Sequence, residues 1–171
     1  LEAVNHSAAK FDITKCRWVN QQHIIALAPE EFAAKARPFC LEAGLPDSGI
    51  LDEAIATVQT KVQTLAEVPE KIRFFFDLSM DQEALAKVQP EALALLSGLA
   101  DRLEREQEWD GHELIGVLKA FAKENGVKMG AVMFPARVAL TGLSGGPDLS
   151  SVFSLLGKEE SLKRIREFSL N

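Results

Sequence analysis

Residues that start and stop helices divide this chain into short lengths. Asp12, Pro29, Asp47 or Ser48, Pro69, Pro90, Asp110 and Pro147 stand where helices can begin, and Asp81 punctuates the middle. Gly44, Asn125-Gly126 and Gly157 stand where helices can end. Between these marks, apolar residues recur at helical spacing, and no sustained alternation of a strand is present. The pattern predicts a helix from Asp12 through Ile24-Ile25, with Ile13, Cys16, Trp18, Val19 and Ile24 as its apolar positions and Trp18 in the core. A second helix is predicted from Pro29 towards Gly44, kinked or broken at Pro38, and a third from Asp47 or Ser48 to about Val62. A shorter one begins at Pro69 and holds Ile72 and the cluster Phe74-Phe75-Phe76, which packs as core at a junction. Longer ones follow from Pro90 to about Glu106, from Asp110 to Asn125, and across Arg137. The last two run from Pro147 to Gly157 and from about Lys158 onwards, the final face being Leu162, Ile165 and Phe168. The predicted class is all-α, in two small helical subdomains of many short helices, with a boundary in the composition break near Phe76–Glu83.

Composition narrows the function. The 171 residues are 47% apolar and 26% charged, which fits a folded chain with a real core. No apolar run is long enough for a bilayer span, and no signal-peptide pattern opens the sequence. Leu1 rather than Met comes first, as expected of a processed product or a piece of a longer chain. Cys16 and Cys40 have no metal-ligand spacing and read as small core hydrophobes in a reduced, cytoplasmic compartment. The net charge of −6 argues against a general nucleic-acid coat, because non-specific binding needs a basic field. The imbalance lies mainly in residues 1–85, with 8 basic and 13 acidic side chains; residues 86–171 have 11 and 12. From Lys119 to Gly142, Lys119, Lys123, Lys128 and Arg137 face one acid, Glu124, so a local basic surface for selective binding is expected there.

Catalytic patterns are missing. Thr141-Gly-Leu-Ser-Gly-Gly-Pro147 lacks the Gly-Lys-Ser/Thr ending of a phosphate loop, and neither G-x-S-x-G nor H-E-x-x-H occurs. His6, His23 and His112 have no ligand partner at helical spacing and read as surface or cap-adjacent residues. The notable residue is Arg137, a lone cation among Phe134, Val138, Ala139 and Leu140, in a proline-interrupted helix that ends at Gly142. Burying such a charge unpaired is costly. Two readings suit it: a structural ion pair with Glu124 or Asp148, or a directed donor fork at a groove edge for phosphate or a base.

Several segments carry a family resemblance. Ala8-Ala-Lys-Phe-Asp-Ile-Thr-Lys-Cys-Arg-Trp-Val-Asn20, Leu65-Ala-Glu-Val-Pro-Glu-Lys71, Val127-Lys-Met-Gly130, Pro135-Ala-Arg-Val-Ala-Leu-Thr-Gly142 and Leu155-Leu-Gly-Lys-Glu159 resemble motifs of bacterial glutamyl-tRNA synthetases, in their order and spacing. Arg164-Ile165 sits at that family's closing R-I or R-L. The resemblance covers nearly the whole chain. It implies the C-terminal anticodon-binding helical bundle of a class I glutamate–tRNA ligase. The parts would be residues 1–25, the end of a stem-contact region; 26–76, a first helical subdomain; and 77–171, a second.

The resemblance also implies partners and roles. The H-I-G-H and K-M-S-K elements that handle ATP are absent from this sequence, so the chain alone should not form glutamyl-adenylate. It implies no cofactor here, with ATP and Mg belonging to the parent enzyme. The implied partners are tRNA(Glu), with tRNA(Gln) where discrimination is weak, and the catalytic domain of the same polypeptide, in a monomer without a membrane contact. Arg137 resembles a reader of the first anticodon base. Lys61 falls where discriminating members have an arginine for the third base; as lysine it offers a point charge, not a fork, so weaker rejection of the glutamine anticodon is expected. Gly146, Pro147 and Leu149 match a loop that packs on anticodon bases, while Lys119, Lys123 and Lys128 are candidates for tRNA phosphates. The other reading is a helical protein–protein scaffold that has lost tRNA contact, supported by the acidic charge.

Overall fold

A computed structural model describes residues 12–170. Among them, nine α-helices form and no strand does. They are α1 (Ile13–Ala26), α2 (Pro29–Glu42), α3 (Leu51–Ala56), α4 (Val68–Ile72), α5 (Gln82–Ala86), α6 (Glu91–Glu104), α7 (Gly111–Glu124), α8 (Gly130–Thr141) and α9 (Leu149–Ser169). Three 3-10 turns, Gln59–Lys61, Leu65–Glu67 and Arg73–Phe75, join the early helices. The all-α expectation therefore holds. His6 and residues 8–11 of the first motif lie outside the described residues.

The helix starts follow local chemistry. Asp12, Asp81 and Asp110 each accept two backbone N–H groups of the first turn, at 2.7–3.4 Å. Each such cap contributes about 1 kcal/mol by occupying donors that a helix end leaves unpaired. The two internal prolines do not interrupt their helices. Pro38 stands in α2 and Pro135 in α8, and the residues whose carbonyls they leave unpaired, Ala34 and Ala131, are exposed, so water can serve those oxygens.

Three sequence expectations are corrected. The helix expected from Asp47 or Ser48 to Val62 is only α3, Leu51–Ala56, followed by the turn Gln59–Lys61. Val58 and Val62 are both fully buried, and the tighter turn lets both point inward while Thr57 Oγ1 donates to the Ala54 carbonyl at 2.6 Å. Trp18 is 56% exposed rather than core, and Cys16 is exposed, because α1 turns only Ile24 inward. Polar contacts hold α1 instead: Asn20 Nδ2 donates to the Gln63 carbonyl at 2.5 Å, and Gln59 Nε2 to the carbonyls of Ile24 and Leu27, both at 2.9 Å. Cys40 is buried as expected, and burial pushes its thiol up.

Two sets of helices pack together. In the first, α2 buries Phe32, Ala33, Ala36 and Cys40 against α3, α4 and the 65–67 turn. In the second, α9 packs on α6, α7 and α8, and its backbone breaks at Gly157 (φ 72°, ψ 175°), where the sequence marks one helix ending and another beginning. Phe74 and Phe75 are buried where the sets meet, their ring centroids 4.2 Å apart.

The linker between the sets crosses the C-terminal end of α8. Gly142 caps α8 in the left-handed region (φ 73°), and its carbonyl accepts the Asp81 N–H at 2.9 Å. A Cβ on Gly142 would overlap the Ser79 carbonyl. Gly126 (φ 66°) ends α7 in open space and separates the two costs. Gly126→Ala should cost about 1 kcal/mol, the left-handed penalty alone. Gly142→Ala should cost about 2–3 kcal/mol, because the linker must also move and strain its hydrogen bond. Urea unfolding midpoints of the two variants measure the difference.

Candidate nucleic-acid interface

Helix α8 is an apolar rod with one charge. Val132, Ala136, Val138, Ala139 and Leu140 are buried against α6, α7 and α9, and Arg137 emerges half-buried between them. Its Nη1 donates to the Pro147 carbonyl at 2.7 Å. One turn on, the buried Thr141 hydroxyl donates to the Arg137 carbonyl at 2.8 Å and accepts the Leu143 N–H at 3.1 Å. Arg137 is thus braced through both its side chain and its backbone.

The electrostatics follow from that placement. Burial pushes the Arg137 guanidinium down from its ordinary value, and the nearby Asp148 charge opposes this. Among the described residues, no carboxylate lies within ion-pair distance of Arg137, so neither Glu124 nor Asp148 is its salt-bridge partner. One arm of the fork holds the loop. The remaining N–H groups meet no other protein acceptor among the described residues, and such a fork suits a planar acceptor pair.

The loop itself differs from the sequence reading. Leu149 is 3% exposed and belongs to the core as the first residue of α9, so it offers no face to a splayed base. Pro147 is also buried, and its carbonyl is occupied by Arg137. Both are corrections: these residues support the loop from beneath. Gly146 remains accessible, with φ at 139°, and Leu143–Gly146 form one wall of a groove of about 400 Å³. The opposite wall comes from Glu67, Glu70 and Lys71, with Asp81 beside them.

The lysines lie elsewhere. Lys61 is exposed at the end of the Gln59–Lys61 turn, in the first set of helices. Glu67 ties that turn to the groove wall by accepting the Gln63 N–H at 3.0 Å and the Thr64 hydroxyl at 3.1 Å. Lys119 and Lys123 are exposed one turn apart on α7, and Lys128 is exposed just before α8. Arg137 is about 13 Å further along the direction of α8 than Lys128, so Lys128 does not join its immediate surroundings. Sequence reasoning missed Thr141, although its four-residue spacing from Arg137 is the usual signal for a hydroxyl bonding back along a helix.

With this geometry in view, comparison with known proteins is decisive. Residues 31–169 match the family described as the anticodon binding domain. The chain belongs to that family. A glutamate–tRNA ligase of Akkermansia muciniphila is 86% identical over 171 residues, which is the whole of this chain and 40% of the relative. One from Thermus thermophilus is 39% identical over 169 residues, covering 96% of this chain and 36% of the relative. The chain thus spans about two fifths of the length of these relatives. The fold is shared with the crystal structure of a glutamate tRNA ligase from Elizabethkingia meningosepticum, with a TM-score of 0.81 at 24% identity over 94% of this chain and 33% of that one.

The Thr141 brace can be measured directly. Thr141→Val keeps the shape but leaves the Leu143 N–H without its acceptor, so stability should fall by about 1–2 kcal/mol. Amide hydrogen exchange at Leu143 should speed by about tenfold or more, as expected when a local opening becomes that much easier.

Proposed function

We propose that this domain reads the anticodon of tRNA(Glu) for a glutamate–tRNA ligase, of which it forms the C-terminal part. The family supports anticodon binding, and the relatives' names supply the amino acid. The observation that carries the reading is Arg137: a half-buried guanidinium fixed on the Pro147 carbonyl, with no carboxylate of the described residues in ion-pair range. Its free donors match a pair of acceptors on an unstacked base. Gly146 leaves the adjoining backbone open for such a base. The proposed mechanism is binding: the loop is unstacked, the first base meets Arg137, and the acceptor end is thereby positioned in the catalytic part.

The remaining roles belong to the same proposal. Lys61 meets the third anticodon base as a point charge, which admits tRNA(Gln) as a second partner. Lys119, Lys123 and Lys128 follow the phosphates. Residues 1–25, 26–76 and 77–171 serve as the end of a stem-contact region and two helical subdomains. ATP, Mg and glutamate bind in the catalytic part. Among the described residues, no group of three or more His, Cys, Asp or Glu side chains is placed to hold a metal ion. Among the same residues, no helix is long and apolar enough to cross a membrane. A monomer in the cytoplasm fits this role. The scaffold reading has nothing in the comparisons to favour it.

Two measurements test the proposal. Arg137→Ala should weaken binding of an anticodon stem–loop RNA by about 10- to 100-fold at moderate salt, the scale of one lost base contact. An unchanged affinity would remove the base-reading role. Lys61→Arg should raise the preference for the glutamate over the glutamine stem–loop, and an unchanged ratio would remove Lys61 from recognition.

A further inference from the structure

Arg164 is the one arginine whose side chain is buried among the described residues, at 6% exposure, and its bonds cross the molecule. It lies in the second half of α9, beyond the break at Gly157. Its Nε donates to Glu160 Oε1 at 2.7 Å, one turn back on the same helix. Its Nη1 donates to two carbonyls at once: Leu140, at 2.7 Å, and Phe74, at 2.8 Å. Leu140 is one turn beyond Arg137 and adjacent to Thr141, which braces the Arg137 backbone. Phe74 belongs to the first set of helices, directly after α4. One nitrogen therefore ties the Arg137 end of α8 to the set that carries Lys61.

A helix-capping role accounts for only part of this. The Leu140 carbonyl is among the last of α8, where a cation is favourable. Capping would not require the Phe74 carbonyl, which lies on the other side of the linker. Burying a guanidinium is costly unless it is well paired, and here three hydrogen bonds, one to a carboxylate, offset that cost. Apart from this nitrogen, the Arg137 end of α8 meets the linker through the Asp81–Gly142 hydrogen bond and the close approach of Ser79 to Gly142.

We propose that Arg164 is a positioning residue: by bridging the Phe74 and Leu140 carbonyls it holds the two helical sets in one orientation, so that both ends of the anticodon are read by a single preformed surface. This rests on the anticodon reading above. Two contacts on one rigid body reinforce each other through effective concentration, and that gain falls when the bodies hinge. The signature is a loss confined to RNA that engages both sets.

The test uses the 171-residue chain with three synthetic anticodon stem–loops: the glutamate anticodon, and versions in which its first or its third base is replaced by an abasic site. In the unaltered protein each replacement should weaken binding. Arg164→Met should weaken the glutamate stem–loop by about tenfold while leaving the two replaced RNAs within about twofold, since each already engages one set only. Arg164→Lys, which retains N–H donors near the two carbonyls, should recover part of the loss. If Arg164→Met does not fold, Glu160→Gln decides: it weakens the hold on Nε and leaves both carbonyl contacts in reach, and should show the same pattern at smaller amplitude. Equal losses on all three RNAs, or no loss on any, would overturn the proposal and leave the anticodon reading standing. If the unaltered protein does not distinguish the three RNAs, the anticodon reading itself falls and the proposal with it.

Discussion

Where the Ser79 carbonyl presses against the α-carbon of Gly142, the chain leaves no room for a side chain, and much else depends on that contact. It fixes the end of α8 beneath the linker, and the end of α8 carries the residues on which the proposed reading rests. Thr141 precedes it, Arg137 lies one turn earlier, and the loop holding the Arg137 side chain follows directly. Short helices have little stability alone and take their positions from packing. Here the positions of a cation and a loop are set by a backbone approach that only glycine permits, both for its left-handed φ and for its missing Cβ.

Charge sharpens the reading of that end. The groove beside Leu143–Gly146 has Glu67, Glu70 and Asp81 along its rim, with Lys71 as the only base among its lining residues. Two of those acids are engaged, Glu67 with Gln63 and Thr64 and Asp81 with the first turn of α5. Phosphate would be repelled there, whereas a neutral base edge would not. An acidic protein presenting one directed guanidinium gains little from the sequence-independent attraction that dominates basic nucleic-acid coats. Under the proposed reading it gains choice, because a planar fork tests the geometry of its acceptors and weak background attraction does not obscure that test.

The fold was legible where local chemistry decides it and less so where packing does. Asp12 and Asp110 cap helices because their carboxylates satisfy orphan N–H groups within three residues, and a sequence shows that spacing directly. The segment after Ala56 was misread as continuous helix because Leu51, Ile55 and Val58 keep helical spacing. The inward pull on Val62, at the end of the 3-10 turn, exists only once the rest of the fold is in place to bury it. Leu149 illustrates the same limit at the site. Its neighbours Gly146 and Pro147 mark a loop, yet burial of its side chain follows from the direction in which α9 leaves that loop, and no spacing rule states it. Arg137 stood out in the sequence as a charge in an apolar run, but its acceptor on Pro147 came only from the fold.

Helix α1 shows how far hydrogen bonds can stand in for a core. With only Ile24 buried, and with Ile13, Trp18 and Val19 open to solvent, it has little apolar area with which to dock. Instead, Asn20 and Gln59 exchange side-chain bonds between the helix and the 59–63 segment, two of them on the carbonyls that end α1. Each such bond contributes about 1 kcal/mol net, so the docking is shallow and depends on all of them together. The turn that presents Lys61 is held on one side by these bonds and on the other by Glu67, which also borders the groove beneath the glycine-rich loop. The turn that presents Lys61 is thus anchored by the fully buried Val58 and Val62 on either side of it as well as by these polar bonds, while Arg137 stands on a packed helix. The two cations differ in their chemistry rather than in whether they are anchored: Lys61 is a point charge on a flexible stem, and Arg137 is a planar fork that requires a fixed direction.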